Sequence, residues 1–156
     1  MAKKLIAENK KAFFNYQILE KWQAGLKLDG FEVKSVKAGQ IDLKGSYISL
    51  KPGKINSSPE AWLISAHIAK YKKAGYGAKD YDPLRPRKLL LNKRELNSLA
   101  GKIKQKGLTI LPLNVYTSQG LVKLEIGLGQ GKKKYDKREA LKKKDFDLRK
   151  SRLVKK

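Results

Sequence analysis

The chain has 156 residues, long enough for one domain with a hydrophobic core and too short for two ordinary domains. Its 37 Lys and Arg against 14 Asp and Glu give a formal net charge of +23, which favours a polyanionic partner such as nucleic acid. The absence of Cys excludes a disulfide framework, and the longest nearly apolar run is less than half a membrane span, so we expect a cytoplasmic protein.

The first predicted element is a long strand over residues 14–28. Seven of its eight even-numbered residues are apolar and the odd positions are mostly polar, which is typical of a half-buried strand. A straight strand of this length would measure roughly 50 Å, more than the roughly 40 Å of a compact domain of this size. We therefore predict a bulge or kink at Gly25, and such a bent first strand favours a small closed barrel.

A short helix is predicted next, over residues 30–38. The sequence Asp29-Gly30-Phe31-Glu32 resembles a capping box, in which both acidic side chains bond backbone amides of the first turn, and Gly39 is a typical helix end. The apolar side of this helix is expected to cover one open end of the barrel. Two basic residues should then face outward, Lys34 and Lys37.

The middle of the chain predicts short strands followed by an exposed loop. Residues 41–50 contain alternating apolar positions, and residues 61–68 predict a largely buried strand. His67 lies in this strand, and we assign it a structural, packed role. Gly and Pro punctuate residues 72–88, so we expect an exposed basic loop that ends in Arg85-Pro86-Arg87-Lys88.

A second helix and a β-hairpin complete the predicted body. The sequence Asn92-Lys93-Arg94-Glu95 is another capping signature, and the helix is expected to end at Gly107. Residues 108–116 predict a strand in which Pro112 marks an edge or a bulge. After a turn, alternating residues 122–128 predict its partner. This order of elements indicates a mainly β fold, an antiparallel barrel with short flanking helices.

A basic tail follows the body, which divides the chain into residues 1–131 and residues 132–156. The tail holds 13 Lys and Arg against 4 Asp and Glu. Its apolar residues form no single wide helical stripe, so we do not expect it to dock on its own body. We predict a disordered tail in the free protein that becomes helical against RNA.

Catalytic and metal sites have little support in the sequence. There is one His and no Cys, and the acidic residues are scattered, so neither a metal site nor a catalytic triad is indicated. The glycine-rich run at residues 127–132 lacks the spacing and the Ser or Thr of a phosphate-binding loop. We therefore predict no enzyme activity, no metal and no cofactor.

The basic clusters are the better candidates for function. Each could contact phosphates, in which case affinity would fall steeply with salt, although any one cluster alone could equally be a solvated face. Tyr16 and Tyr47 are expected in the core, whereas Tyr135 lies outside any apolar pattern and is a candidate for stacking on a base. The candidate phosphate contacts are Lys10, Lys11, Lys34, Lys37, Arg85, Arg87, Lys88, Lys132 and Lys133, with Asn9 beside the first of them.

Several separated motifs are spread in order along nearly the whole chain, at residues 9–12, 16–18, 24–35, 45–47, 83–91, 106–107 and 131–138. Together they resemble the small protein B (SmpB) family, the SsrA-binding proteins that partner transfer-messenger RNA (tmRNA) in bacteria. Two positions depart from the family pattern, because Gln23 stands where many relatives carry Glu and Gln130 where Lys is common.

This resemblance implies an oligonucleotide-binding (OB)-type closed barrel over residues 1–131 that binds the tRNA-like domain of tmRNA. It also implies that the tail enters the decoding centre and the empty mRNA channel of a stalled ribosome. The family's RNA-contact positions fall on Asn9, Tyr16, Glu32, Lys34, Leu90, Asn92 and Lys123. The decoding-centre motif falls on Tyr135, Asp136, Lys137 and Arg138.

Two other classes remain open at this point. A ribosomal or ribosome-assembly protein would share the basic charge and the tail. A nucleic-acid enzyme would need an acidic cluster that the sequence does not offer. We expect a monomeric RNA-binding factor whose partners are tmRNA and the ribosome, and no membrane.

Overall fold

The computed structural model describes residues 3–54, 57–71, 80–132, 138 and 141–144. Within these ranges the protein is mainly β, with three short helices placed between antiparallel strands and helical backbone also at residues 138 and 141–144. No helix among the described residues is both long and apolar enough to cross a bilayer. The elements are β1 (Lys4–Glu8), α1 (Lys10–Asn15), β2 (Tyr16–Leu26), α2 (Gly30–Lys37), β3 (Ile41–Asp42), β4 (Tyr47–Lys51), β5 (Glu60–Ile64), β6 (His67–Ile68), β7 (Arg87–Leu90), α3 (Lys93–Lys102), β8 (Leu108–Ser118) and β9 (Leu121–Gly131).

The main sheet has seven strands in the order β1-β8-β9-β2-β7-β5-β4, and β3 pairs with β6 separately. All of these pairings are antiparallel, as the sequence predicted. The backbone of β4 approaches that of β8, but among the described residues no strand pairing joins them. The closed barrel therefore stays a prediction.

The long first strand is confirmed, but it spans Tyr16–Leu26 instead of residues 14–28, and its irregularity lies at a different place. Phe14 and Asn15 belong to α1, because the Asn9 side chain accepts a hydrogen bond from the Ala12 amide and starts a helix there. The bulge predicted at Gly25 is wrong, since the register between β2 and β9 shifts between Ile18 and Glu20. The irregularity of β2 therefore lies near the start of the strand and not at Gly25.

The hairpin of β8 and β9 is confirmed over its full length, from Leu108 opposite Gln130 to Ser118 opposite Leu121. Its tight turn has positive φ at both central residues, 52° at Gln119 and 78° at Gly120, the geometry that matches the twist of a two-residue hairpin. The irregularity predicted at Pro112 is confirmed as a register shift between Pro112 and Asn114.

Both capping boxes are confirmed, at the starts of α2 and α3. The predicted end of α3 is wrong, because the helix stops at Lys102 and Gly107, with φ of +83°, instead serves the turn into β8. The predicted strand over 61–68 is interrupted at Ser65, where φ is +61°. His67 lies beyond this break and is exposed, so its predicted packed role is wrong.

Two hydrophobic clusters form the interior. The larger lies inside the main sheet and under α2 and α3, and includes Leu63, Leu89 and Leu124, all at most 2% exposed. The smaller lies under α1, around Leu111 and Leu113, and Tyr16 packs at its edge. Tyr47 was predicted in the core but is 50% exposed.

Candidate nucleic-acid interface

Several of the residues predicted to bind RNA fall at two ends of the body. Tyr16 begins β2 and Gly25 lies nine residues later near its end, which places the two ends about 30 Å apart at the rise of a strand. The first end, here called the α1 end, comprises Asn9, Lys10, Lys11, Tyr16 and Lys132. The second, the β7 end, comprises Leu90, Lys123 and Lys37 of α2. Lys34 of α2 is exposed and lies elsewhere, with its Nζ 5.7 Å from the centre of the Tyr71 ring.

At the β7 end, Gly25 of β2 lies opposite Leu90 of β7 on one side and opposite Lys123 of β9 on the other. A Cβ at Gly25 would lie 3.3 Å from the Leu90 Cβ, so the glycine lets the leucine side chain lie across the strand. Leu90 is 54% exposed. A large apolar side chain exposed beside a lysine can contact a ribose or a base while the lysine contacts phosphate.

Two shallow clefts meet beside this pair. One, of about 170 Å³, is lined by Leu90, Lys123 and the side of α2 at Val33. The other, of about 210 Å³, is lined by Lys4 and Lys37. Both reach the β8–β9 turn at Gly120, so α2, the turn and β7 form one continuous surface with lysines along it.

At the α1 end, the Asn9 side chain is 8% exposed and forms its hydrogen bonds within the protein. Its Nδ2 donates to the Pro112 carbonyl at 2.9 Å, while its Oδ1 accepts from the Ala12 amide at 3.3 Å. Asn9 therefore fixes α1 on β8 and presents the exposed Lys10 and Lys11. The Lys132 amide donates to the Asn15 carbonyl at 2.9 Å, so the basic tail begins at this end of the body.

Glu32 of α2 is not at the surface, since it is completely buried together with Arg87 of β7. Its Oε2 accepts hydrogen bonds from Arg87 Nε at 3.0 Å, from Arg87 Nη2 at 2.8 Å and from the Tyr81 hydroxyl at 3.0 Å. Its Oε1 accepts from the Asp29 amide at 3.0 Å and also from Arg85 Nη2. Arg87 Nη1 donates to the Ala66 carbonyl at 2.6 Å. The cluster joins α2, β7, the segment before β7 and the β5–β6 turn.

Two guanidinium groups, those of Arg85 and Arg87, contact the Glu32 carboxylate, and Arg85 Nη2 also lies 3.5 Å from the carboxylate of Asp29. Burial alone would raise the pKa of Glu32, but hydrogen bonds from Arg85, the Asp29 amide and Arg87, with the charge of Arg87, hold that pKa below its ordinary value. The hydrogen bond to Glu32 raises the pKa of Arg85. Burial, followed by the neighbouring Glu32, raises the pKa of Tyr81 to about 12. Glu32 is therefore ionised at neutral pH and the Tyr81 hydroxyl keeps its proton.

These positions revise the predicted contacts. Glu32 and Arg87 are both 0% exposed and cannot touch RNA in this conformation, so the exposed loop predicted to end in Arg85-Pro86-Arg87-Lys88 is wrong at Arg87. Arg85 keeps 33% of its side chain exposed, and Lys88 forms an exposed ion pair with Glu60 at 3.5 Å. Asn92 is exposed, and its Oδ1 caps α3 by accepting from the Glu95 amide at 2.8 Å.

Sequence reasoning missed a polar cluster on the outer face of β2, β8 and β9. Gln23 Nε2 donates to Glu125 Oε2 at 2.9 Å, and Asn114 Nδ2 donates to Glu125 Oε1 at 3.0 Å. The Tyr116 hydroxyl donates to Gln23 Oε1, and burial together with Glu125 raises the pKa of Tyr116. The sequence offered three polar residues in predicted strands, Gln23, Asn114 and Glu125, but not the register that places the first two directly opposite Glu125.

Part of the predicted site lies outside the described residues, namely Lys133, Tyr135, Asp136 and Lys137. Arg138 is described and exposed. Among the residues that the structure describes, no group of three or more acidic, His or Cys side chains is arranged to hold a metal ion.

Known proteins resemble this chain along nearly its whole length. The family model described as SmpB protein matches residues 6–156. An SsrA-binding protein of Sulfurihydrogenibium sp. is 51% identical over 147 residues, 94% of this chain and 91% of that protein. An SsrA-binding protein of Gloeothece citriformis is 47% identical over 152 residues, 97% of this chain and 94% of that protein. A solved chain from work on tmRNA-SmpB and the centre of the bacterial ribosome is 42% identical, with a TM-score of 0.64, over 86% of this chain and 93% of that one.

Proposed function

Because the chain belongs to the SmpB family of SsrA-binding proteins, we propose that it binds tmRNA and delivers it to stalled bacterial ribosomes in trans-translation. The observation that carries this proposal is a family match that spans body and tail together, residues 6–156. The net charge of +23 supports it, since a polyanion is the partner that such a surface attracts.

The β7 end is proposed to hold the tRNA-like domain. Leu90 and Lys37 are exposed and Lys123 is half-buried, and all three lie on one surface that runs from β7 to α2. The leucine offers an apolar contact, and the lysines can bind phosphates and so fix the position of the RNA backbone. The buried cluster around Glu32 supports this surface from beneath, because it ties α2 to β7. Glu32 and Arg87 thus position the RNA-binding residues rather than touch RNA.

The tail is proposed to act in the ribosome. Residues 132–156 would occupy the decoding centre and the empty mRNA channel, with Tyr135 stacking and Lys137 and Arg138 contacting phosphates. The start of the tail at the α1 end, about 30 Å along β2 from the β7 end, supports a separation of the two tasks.

The remaining parts of the proposal concern architecture and chemistry. The approach of β4 to β8 supports an OB-type barrel that closes along this seam. The protein is proposed to act as a cytoplasmic, monomeric binding factor without catalysis, metal or cofactor.

The test measures binding of the tRNA-like domain transcript to Lys123→Ala and, as a matched control, Lys104→Ala. Both substitutions remove one lysine charge, but Lys104 is an exposed lysine after α3, near the opposite end of the β8–β9 hairpin. We expect Lys123→Ala to weaken binding and reduce the salt slope by about one, with little effect from Lys104→Ala. Equal affinities at matched salt would contradict the assignment of Lys123.

A ribosomal or assembly protein is the competing function, and the RNA that copurifies with the full chain distinguishes the two. Recovery of tmRNA supports the rescue factor. Stoichiometric recovery with one ribosomal subunit and no tmRNA would support the alternative.

A further inference from the structure

Tyr81 joins three elements of the body, although it belongs to none of the predicted RNA contacts. Its hydroxyl accepts a hydrogen bond from Arg87 Nη2 of β7 at 2.7 Å. The same oxygen lies 3.0 Å from Glu32 Oε2 of α2 and 3.0 Å from the Ile68 carbonyl oxygen of β6, so either of these can take its proton. One side-chain hydroxyl therefore connects α2, β6 and β7.

The ring of Tyr81 is also fixed, because it packs edge-on against Phe31 in the first turn of α2. The two ring centres are 5.0 Å apart and the ring planes are at 87°, a favourable geometry for an aromatic pair. Burial raises the pKa of Tyr81 to about 12, so the hydroxyl keeps its proton at neutral pH and remains a donor. Tyr81 thus contacts α2 at two points, through its ring at Phe31 and through its oxygen at Glu32.

The residues that Tyr81 contacts are close in the chain to the walls of the β7 end. Glu32 directly precedes Val33, and Arg87 lies three residues before Leu90, roughly 10 Å along the strand. The described walls of the clefts at this end include Val33 and Leu90 but not Tyr81. Within the described residues no backbone hydrogen bond joins α2 to β7, so the relative position of the two walls depends on side-chain contacts.

We propose that Tyr81 is a positioning residue, whose hydroxyl holds Val33 of α2 beside Leu90 of β7 for the tRNA-like domain without touching RNA. Without the hydroxyl, Glu32 and Arg87 remain paired, but the link from both of them to Tyr81 is lost and α2 can shift against β7. The affinity then falls in proportion to the fraction of molecules whose surface keeps the binding arrangement. The inference rests on the proposed function and adds to it a residue that acts from behind the RNA surface.

The first experiment tests the position of the two walls in the free protein. Tyr81→Phe removes one oxygen and keeps the ring, and Tyr71→Phe is the matched control, since the Tyr71 hydroxyl takes no part in these contacts. The methyl NMR signals of Val33 and Leu90 should change in Tyr81→Phe only, while those of Leu111, at the α1 end, should stay the same in both variants. The melting temperature of Tyr81→Phe should fall by about 2–4 °C, because one hydrogen bond of a half-buried group is lost.

The second experiment measures affinity for the tRNA-like domain transcript with the full-length protein, at matched salt and well below the melting temperature. We expect Tyr81→Phe to bind about 5-fold more weakly and Tyr71→Phe to bind as the wild type does. A double-mutant cycle separates positioning from a general loss of stability. In Leu90→Ala one wall is already removed, so Tyr81→Phe should weaken binding little further, whereas in Lys10→Ala, at the α1 end, it should have its full effect.

The proposal is overturned if Tyr81→Phe leaves the methyl signals of Val33 and Leu90 unchanged, or if it binds the transcript as tightly as the wild type. Full additivity with Leu90→Ala would also overturn it, because the hydroxyl would then not act through β7. Failure of the wild-type protein to bind the transcript is a different result, because it contradicts the proposed function itself. The methyl signals would still show whether Tyr81 holds α2 on β7.

Discussion

Replacement of Glu32 by Gln should strongly destabilise the protein. The substitution keeps the size of the side chain but removes the charge that Arg87 Nε and Nη2 contact at 3.0 and 2.8 Å. Both side chains of this pair are 0% exposed, so the guanidinium would remain buried without its counterion. The Arg85 side chain is 33% exposed and can turn toward water, so most of the lost free energy of unfolding comes from the buried Arg87.

Removal of one partner from a buried ion pair costs about 3–5 kcal/mol. Total stabilities of about 5–15 kcal/mol are typical of folded domains, so the loss would be a large share. For a chain of this size each kcal/mol corresponds to about 2–4 °C, which gives an expected decrease in Tm of about 10 °C. Urea unfolding and calorimetry of Glu32→Gln measure these quantities.

The matched control is Glu60→Gln, which breaks the exposed pair with Lys88 at 3.5 Å. This pair should contribute about 0–1 kcal/mol. If Glu32→Gln costs no more than Glu60→Gln, the buried cluster does not hold α2 on β7 and the reasoning is wrong.

The same cluster predicts a dependence on pH. The pKa of Glu32 is lower in the folded protein than its ordinary value of about 4.3. At a pH between these two pKa values the unfolded chain binds more protons than the folded protein. The contribution of Glu32 to the free energy of unfolding is therefore complete above the ordinary pKa, and it is lost as the pH falls through the pKa of the folded protein. The free energy of unfolding should therefore fall less steeply at acidic pH in Glu32→Gln than in the wild-type protein.

Two further predictions concern the β2–β9–β8 face. Gln23→Glu replaces a donor that lies 2.9 Å from Glu125 Oε2 with a second carboxylate. Chemical unfolding at neutral pH should show a free energy of unfolding lower by about 1–2 kcal/mol, and this difference should shrink on acidification. An unchanged free energy of unfolding would contradict the assigned contact. Gly127→Ala would bring a Cβ within 2.7 Å of Leu113 Cδ1 and should lower the free energy of unfolding by about 1–3 kcal/mol. Its control, Gly101→Ala on α3, has open space around the new Cβ and should be neutral or stabilising. A larger loss for Gly101→Ala than for Gly127→Ala would contradict the packing.

The elements that the sequence predicts well are those whose determinants are local. Both capping boxes depend on side chains three residues apart, and the hairpin turn depends on Gln119 and Gly120 alone. The irregularity of β2 was predicted at the wrong residue because it depends on the pairing with β9. The register shift lies after Ile18, whose side chain packs close to Gly127 of β9, and no pattern within β2 reports that contact.

The candidate site was predicted in its residue types but not in its arrangement. Arg87 belongs to a basic run, yet it alternates with Lys88 and lies on the buried side of β7 with Leu89. This alternation was visible in the sequence. Which of the alternating side chains points inward, however, depends on the carboxylate of Glu32, 55 residues earlier. Several of the predicted RNA-binding residues are divided between two ends of the body because β2 is long, and their spacing in the sequence did not predict two separate surfaces.

Deletion of residues 132–156 separates the two tasks proposed for the body and the tail. Affinity for the tRNA-like domain and tagging of peptides on stalled ribosomes are measured on the same preparation. We expect the affinity to stay within about a factor of three, because the β7 end is intact, while tagging is lost. Loss of both activities, or retention of both, would contradict this separation of tasks.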